Sequence, residues 1–185
     1  MRQCPSSIPE GFSKKACMLW MSFLNLDTRY FEWGSGFTTR TADNITMRVT
    51  SIEGSSEWYR QMKEHTFSER TTLRYIDIGK TGAFSYPEDP KKGKKYIHAI
   101  NSTQDVILVD GRWRVACAAS AFPFIAPTGR LMVHDFSRKY YHSLLKVYDK
   151  ETEVDELAVL TPKPNVSTRE LQKLMHEFKK NPIRL

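Results

Sequence analysis

Five short runs of strand-forming residues recur along the chain, each stopped by glycine or an acid and each followed by a loop or helical segment. They are 29–33, 47–52, 73–78, 105–109 and 130–133. A strand that returns parallel to its neighbour needs a crossover of a dozen residues or more, usually a helix. The alternation therefore predicts an α/β fold with a mostly parallel sheet. The run Val106-Ile107-Leu108-Val109 is continuously apolar, which suits a strand covered on both faces.

The intervening segments carry helical spacing. Ala16, Leu19, Trp20, Phe23 and Leu24 form one stripe of a predicted helix over 9–26, after an irregular arm. Short helices are expected over 38–44 and from a Ser55 or Ser56 cap through Trp58 and Met62. The stretch 81–93 is turn-rich, and 96–100 reads as a helical turn. Val115, Ala116, Ala119 and Phe122 mark a helix over 112–124, and 137–148 reads as a Tyr-rich helix. An antiparallel hairpin is expected from 151–154 and 157–161 around Asp155-Glu156. Ser167 or Thr168 then caps a final helix through Leu171, Leu174, Met175 and Phe178. With 185 residues and no linker or repeat, one domain over 1–185 is expected.

A net charge of +7 favours anionic partners, or simply a Lys-rich solvated surface. The lysine run 91–95 falls in a loop-like stretch and reads as solvated. Cys4, Cys17 and Cys117 show no metal spacing, and their odd number argues against a disulfide framework. Cys17 and Cys117 read as reduced core residues, which favours a reducing, cytoplasmic setting. The sequons at Asn44, Asn101 and Asn165 read as chance matches, and no targeting or membrane-spanning segment is expected.

In open α/β sheets ligands bind beyond the carboxyl ends of the strands. Those ends carry Glu32-Trp33-Gly34-Ser35-Gly36, Glu53, Asp77, Asp110-Gly111-Arg112 and His134-Asp135. Nothing in folding requires an acid at each. Glycines at 34 and 36 allow close backbone approach to a ligand. Glu53 lies 21 positions after Glu32, where a carboxylate can accept both hydroxyls of a ribose. A dinucleotide fingerprint would place a third glycine at 39, where Thr39 stands, and a pyrophosphate would be repelled by Glu32.

These segments resemble the class I S-adenosylmethionine-dependent methyltransferases. The run 30–39 is similar to their glycine-rich first motif, 49–53 to their second, and 105–112 and 130–136 to their fourth- and fifth-strand motifs. Phe37 departs from a glycine often found there. The resemblance implies a Rossmann-like three-layer sandwich. It divides the chain into an N-terminal arm and helix (1–28), a cofactor-binding core (29–161) and a C-terminal helix (162–185). It implies that Glu32, Gly34, Ser35 and Gly36 cradle the methionine part of the cofactor. Glu53 would bind the ribose, and Asp77 and Asp110 would lie beside the cofactor.

Metal-dependent O-methyltransferases hold a divalent cation with acids at the fourth and fifth strand ends, so Asp110, His134 and Asp135 are expected as catalytic residues and as metal ligands. Two alternatives stay open for His134: a general base or a structural hydrogen-bond partner. Arg112, Arg114 and Arg138 stand near these exits and could grip an anionic substrate or pair with Asp110 and Asp135.

The function expected is methyl transfer from S-adenosylmethionine to a small molecule, most simply at oxygen. The competing readings are a non-catalytic module that keeps the fold and a nucleic-acid methyltransferase. The latter is favoured by charge but lacks an N-P-P-Y or D-P-P-Y segment after the fourth strand. The sequence leaves the oligomeric state open.

Overall fold

A computed structural model describes residues 12–82 and 87–180. Seven strands form one mixed sheet in the order β3-β2-β1-β4-β5-β7-β6. They are β1 (Arg29–Trp33), β2 (Arg48–Glu53), β3 (Thr71–Tyr75), β4 (Gln104–Val109), β5 (Ile125–Val133), β6 (Tyr148–Val154) and β7 (Leu157–Pro162). The first five are parallel, and β7 returns antiparallel between β5 and β6. The helices are α1 (Lys14–Ser22), α2 (Phe37–Asp43), α3 (Ser56–Lys63), α4 (Gly93–Ile97), α5 (Arg114–Ala121) and α6 (Thr168–Lys180).

Strand alternation sorts the side chains into two cores, one on each face of the sheet. Phe31, Trp33, Ile107, Val109, Leu131 and Val133 join α4, α5 and Leu174 of α6 on one face. Tyr30, Val49, Val106, Leu108, Met132 and Val159 meet Ala16, Cys17, Trp20 and Ala42, from α1 and α2, on the other. Every residue of α5 is buried. Four of its eight positions are alanine, small enough for helix and sheet to approach closely. Asp105 receives the Arg29 guanidinium (2.7 and 2.9 Å) and the Arg29 N–H (2.9 Å), which fixes where β1 begins against β4.

The first strand lies inside the sheet, as its glycine turn predicts, and the order reverses between β1 and β4. Several boundaries differ from expectation. Within the described residues the first helix is limited to Lys14–Ser22, because the Ser13 hydroxyl caps it by accepting from Ala16 N–H (3.0 Å). The third strand stops at Tyr75, leaving Asp77 in the following loop. The fifth starts earlier, at Ile125, because it pairs with the start of β4. Residues Lys139–Lys146 form 3-10 turns rather than an α-helix, and β6 takes over at Tyr148. Cys17 is buried as expected but disulfide-bonded rather than reduced. Among the described residues, the buried Cys117 carries a free thiol, as expected. The expected arm, and the side chain of Phe178, fall outside the described residues. No described helix is long and apolar enough to cross a membrane.

Candidate functional site

At the carboxyl ends of β1 to β4 the reversal of strand order opens a cleft of about 660 Å³. This is within the roughly 300–1,000 Å³ of small-molecule sites. Gly34 and Ser35 from the β1 exit, Glu53 from β2, Asp77 after β3, and Asp110, Gly111 and Arg112 after β4 all line it. Trp58 and Tyr75 add aromatic walls. Among the described residues, four lining side chains are acids (Glu53, Glu57, Asp77 and Asp110) and one is basic, Arg112, in a chain whose net charge is +7.

Two glycines make this geometry possible. Gly34 has φ +94°, and a Cβ there would lie 2.8 Å from the Asp110 carbonyl carbon and the Gly111 nitrogen. Gly111 is equally confined, since its Cβ would meet the Tyr96 hydroxyl oxygen at 2.0 Å. The β1 and β4 exits are thus packed backbone to backbone. Gly36 is different: its φ of 174° is ordinary extended backbone, and nothing lies within 4 Å of a Cβ placed there.

Glu53 is buried at the cleft wall, and its two oxygens accept four hydrogen bonds. Oε2 takes the N–H (3.1 Å) and hydroxyl (2.9 Å) of Ser35, while Oε1 takes Gly54 N–H (2.8 Å) and Ser55 N–H (2.7 Å). The Trp58 indole N–H donates to the Ser35 carbonyl (2.7 Å), holding the glycine turn from its other side. Asp77 is more exposed, pairs with Lys92 (3.0 Å) and accepts Gly79 N–H (2.8 Å). Those contacts hold its carboxyl below the ordinary aspartate range.

Glu32 is placed elsewhere. Strand alternation turns it to the α1–α2 face with Tyr30, fully buried and outside the cleft lining. It accepts hydroxyls from Tyr30 (2.7 Å), Thr38 (2.7 Å) and Thr39, next to Ser51. Burial raises its pKa, and the hydroxyls only partly oppose this. Its geometry is that of a brace between β1 and α2, not of a direct ligand contact.

Asp110, His134 and Asp135 do converge, with ligand atoms within 4.8 Å of one another. His134 Nδ1 lies 3.0 Å from Asp110 Oδ1 and 3.8 Å from Asp135 Oδ1. Between the carboxylates stands Arg114. It contacts Asp110 (3.0 Å) and Asp135 (2.9 Å) and donates to the carbonyls of His134 (2.6 Å) and Gly111 (3.1 Å). Arg138 adds a second contact to Asp135 (3.2 Å). The positive charge that two adjacent carboxylates require is therefore supplied by a guanidinium. A divalent ion would have to share that space with Arg114, and His134 Nδ1 is already engaged. The donor set fits Arg114 better than a metal.

Burial opposes the charge of both Asp110 and His134, yet their charged neighbours prevail. Arg114 and His134 hold Asp110 below the ordinary aspartate value. Asp110 and Asp135 hold His134 above the ordinary histidine value, against burial and Arg114. His134 Nε2 is buried with no hydrogen-bond partner among the described residues, and the Phe12 ring stacks on the imidazole (centroids 5.0 Å, 21°). Phe12 and the place of Trp58 in the cleft wall were not singled out by sequence, whereas pairing with Asp110 and Asp135 is one of the two readings of the arginine cluster, and Arg114 fulfils it. The i, i+4 spacing of Asp110 and Arg114 hints at that pairing.

The sheet order, the hairpin and the cleft together define the class I methyltransferase fold, Rossmann-like α/β. A methyltransferase-like protein from Silicibacter pomeroyi DSS-3 is similar over 96% of this chain and 98% of its own, with 25% identity and a TM-score of 0.69. The N-methyltransferase NodS from Bradyrhizobium japonicum WM9, in complex with S-adenosyl-L-homocysteine, matches 80% of this chain and 83% of its own (14% identity, TM-score 0.50). An rRNA methylase from Streptococcus thermophilus matches 85% and 99% (10% identity, TM-score 0.53). No protein-family model matches the chain, and a search of curated proteins finds no relative.

Proposed function

We propose that this chain binds S-adenosylmethionine in the cleft and transfers its methyl group to a hydroxyl oxygen of a small molecule. The observation that carries the reading is an acid-lined cleft at the strand-order reversal, with the Asp110–His134 pair at its edge. Acids suit a ligand bearing a sulfonium and an ammonium, and disfavour a dinucleotide pyrophosphate. Glu53 would hold the ribose after its Ser35 hydroxyl contact is exchanged for the ligand's. Gly34, Ser35 and Gly36 would leave backbone open to the methionine part, with Asp77 and Asp110 alongside. When bound, the cofactor supplies an electrophilic methyl group, so an oxygen–carbon bond forms as the carbon–sulfur bond breaks. His134 would take the hydroxyl proton at Nε2. Asp110 would keep the proton on Nδ1 and stabilise the imidazolium, while Arg114 and Asp135 fix Asp110 and the backbone around it.

Calorimetry with S-adenosylmethionine and S-adenosylhomocysteine tests the cofactor without knowledge of the acceptor. Glu53→Ala is expected to weaken binding by about 1.5–3 kcal/mol, the range for a hydrogen bond to a charged group. A parent protein that binds S-adenosylhomocysteine no better than Glu53→Ala would refute the assignment.

Proton transfer to His134 requires its neutral form. Because its pKa is raised, turnover should fall as pH drops through a value above the ordinary 6.5 or so. Asp110→Asn should move that limb to lower pH. His134→Ala should cost about 10²- to 10⁴-fold in rate while leaving S-adenosylhomocysteine affinity intact. Stability moves in the opposite sense to rate. The contribution of protonated His134 is complete below about pH 6.5 and is lost as pH rises through its raised folded value. An acid limb unchanged in Asp110→Asn would exclude His134 as the titrating base.

A second reading, a non-catalytic cofactor-binding module, is favoured by the closure of His134 Nε2 beneath Phe12. It predicts that His134→Ala leaves every measurable activity unchanged.

A further inference from the structure

Beside the cofactor cleft lies a second cavity, of about 300 Å³, between the start of α1, the exit of β5 and the β6–β7 turn. We propose that this cavity is the acceptor pocket, and that it takes a small organic cation carrying a hydroxyl group. The inference rests on the methyl-transfer reading above.

Phe12, Ser13, Ala16, His134, Asp155 and Glu156 line the cavity. His134 joins it to the cleft: its Nδ1 contacts Asp110, which lines the cleft, and its ring lines the cavity. The residue is 6% exposed, and Nε2 has no partner among the described residues. A buried imidazole nitrogen is rarely left unpaired, because it gives up its water without compensation. A hydroxyl brought against it would supply the missing donor.

The charge of the cavity selects the rest of the ligand. Asp155 and Glu156 are exposed at the turn and form no ion pair among the described residues, although the chain carries a net +7. Asp155 Oδ2 accepts the Ser13 hydroxyl, tying the α1 cap to the turn, and Oδ1 has no hydrogen-bond partner among the described residues. Among the described residues, no lysine or arginine lines the space. An anionic acceptor would be repelled there, and an ammonium would meet two carboxylates. Phe12 gives the body of the molecule an apolar wall, and its displacement from the imidazole face would admit the hydroxyl to Nε2.

Three phenols of one shape separate these features: tyramine (cationic), 2-(4-hydroxyphenyl)ethanol (neutral) and 4-hydroxyphenylacetate (anionic). Each would be titrated calorimetrically into the full chain, with and without S-adenosylhomocysteine. Tyramine should bind about tenfold tighter than the neutral phenol, as one charge-assisted contact allows, and the anion should bind weakest. The Asp155→Asn, Glu156→Gln double variant should abolish that preference. Asparagine tolerates the left-handed φ of +53° at position 155, so the turn is retained. No binding of tyramine, equal binding of all three phenols, or a preference that survives in the double variant overturns the proposal. Charge-selective phenol binding without S-adenosylhomocysteine binding would keep the pocket and refute the methyl-transfer reading instead.

Discussion

Arg114→Met is expected to destabilise the fold by about 3–5 kcal/mol, the cost of removing one partner from a buried ion-pair network. The Arg114 side chain is 8% exposed and its guanidinium touches both Asp110 and Asp135. Methionine matches its apolar stem but leaves two carboxylates facing each other, offset by His134, by Arg112 near Asp110 and by Arg138 at Asp135. It also strips the donors from the carbonyls of Gly111 and His134. Urea unfolding of Arg114→Met, alone and combined with Asp110→Asn and Asp135→Asn, measures the effect. The triple variant should recover much of the loss, because the repulsion disappears with the charges. A loss under about 1 kcal/mol in the single variant would show that Arg114 is not the neutralising group. In the parent protein, EDTA or added Mn²⁺ should leave the unfolding midpoint unchanged, since the guanidinium holds the place a cation would take.

Gly34→Val is expected to be at least as damaging, with a loss above about 4 kcal/mol or no folded protein at all. Two costs combine. The φ of +94° is one that a β-branched residue does not adopt, and the new Cβ would stand 2.8 Å from backbone atoms of Asp110 and Gly111. Backbone cannot rotate aside as a flexible side chain can, so the β1 and β4 exits would have to part. Gly36→Ala provides the contrast. Its φ is extended and its Cβ direction is open, so stability should change by no more than about 0.5 kcal/mol. Should Gly36 lie against the cofactor, this stable variant will bind S-adenosylhomocysteine more weakly. Unchanged affinity would release Gly36 from the site. Thermal unfolding and calorimetry on the two variants separate glycine required by the chain from glycine required by the ligand.

Much of the architecture is written locally. The strand-forming aromatic run Arg29–Trp33 and the continuous apolar run of 106–109 identify strands, because a sheet covered on both faces demands such residues whatever packs on it. Glycine or an acid after each strand points to the carboxyl edge as the site, and the Asp155-Glu156 turn marks the hairpin. All of these depend on neighbours a few residues apart. Boundaries that depend on distant contacts were not legible. The strand β5 reaches back to Ile125 only because β4 is there to pair with it, and Asp77 leaves the third strand because β3 ends at Tyr75.

The sequence by itself determined the order of strands and helices, the glycine turn at 34, and the gathering of Glu53, Asp110, His134 and Asp135 on one edge of a parallel sheet. Tertiary structure alone decided what those groups face. The pleat turned Glu32 away from the cleft and into a cage of hydroxyls from Tyr30, Thr38 and Thr39. The docking of α5 placed Arg114, rather than open space, between Asp110 and Asp135. The start of α1, pinned by Ser13 to the β6–β7 turn 142 positions away, laid Phe12 over His134. Residue types and their spacing encode which face of a strand or helix is apolar. Which guanidinium, hydroxyl or ring then occupies the space beside a given carboxylate follows from packing between segments far apart in the chain.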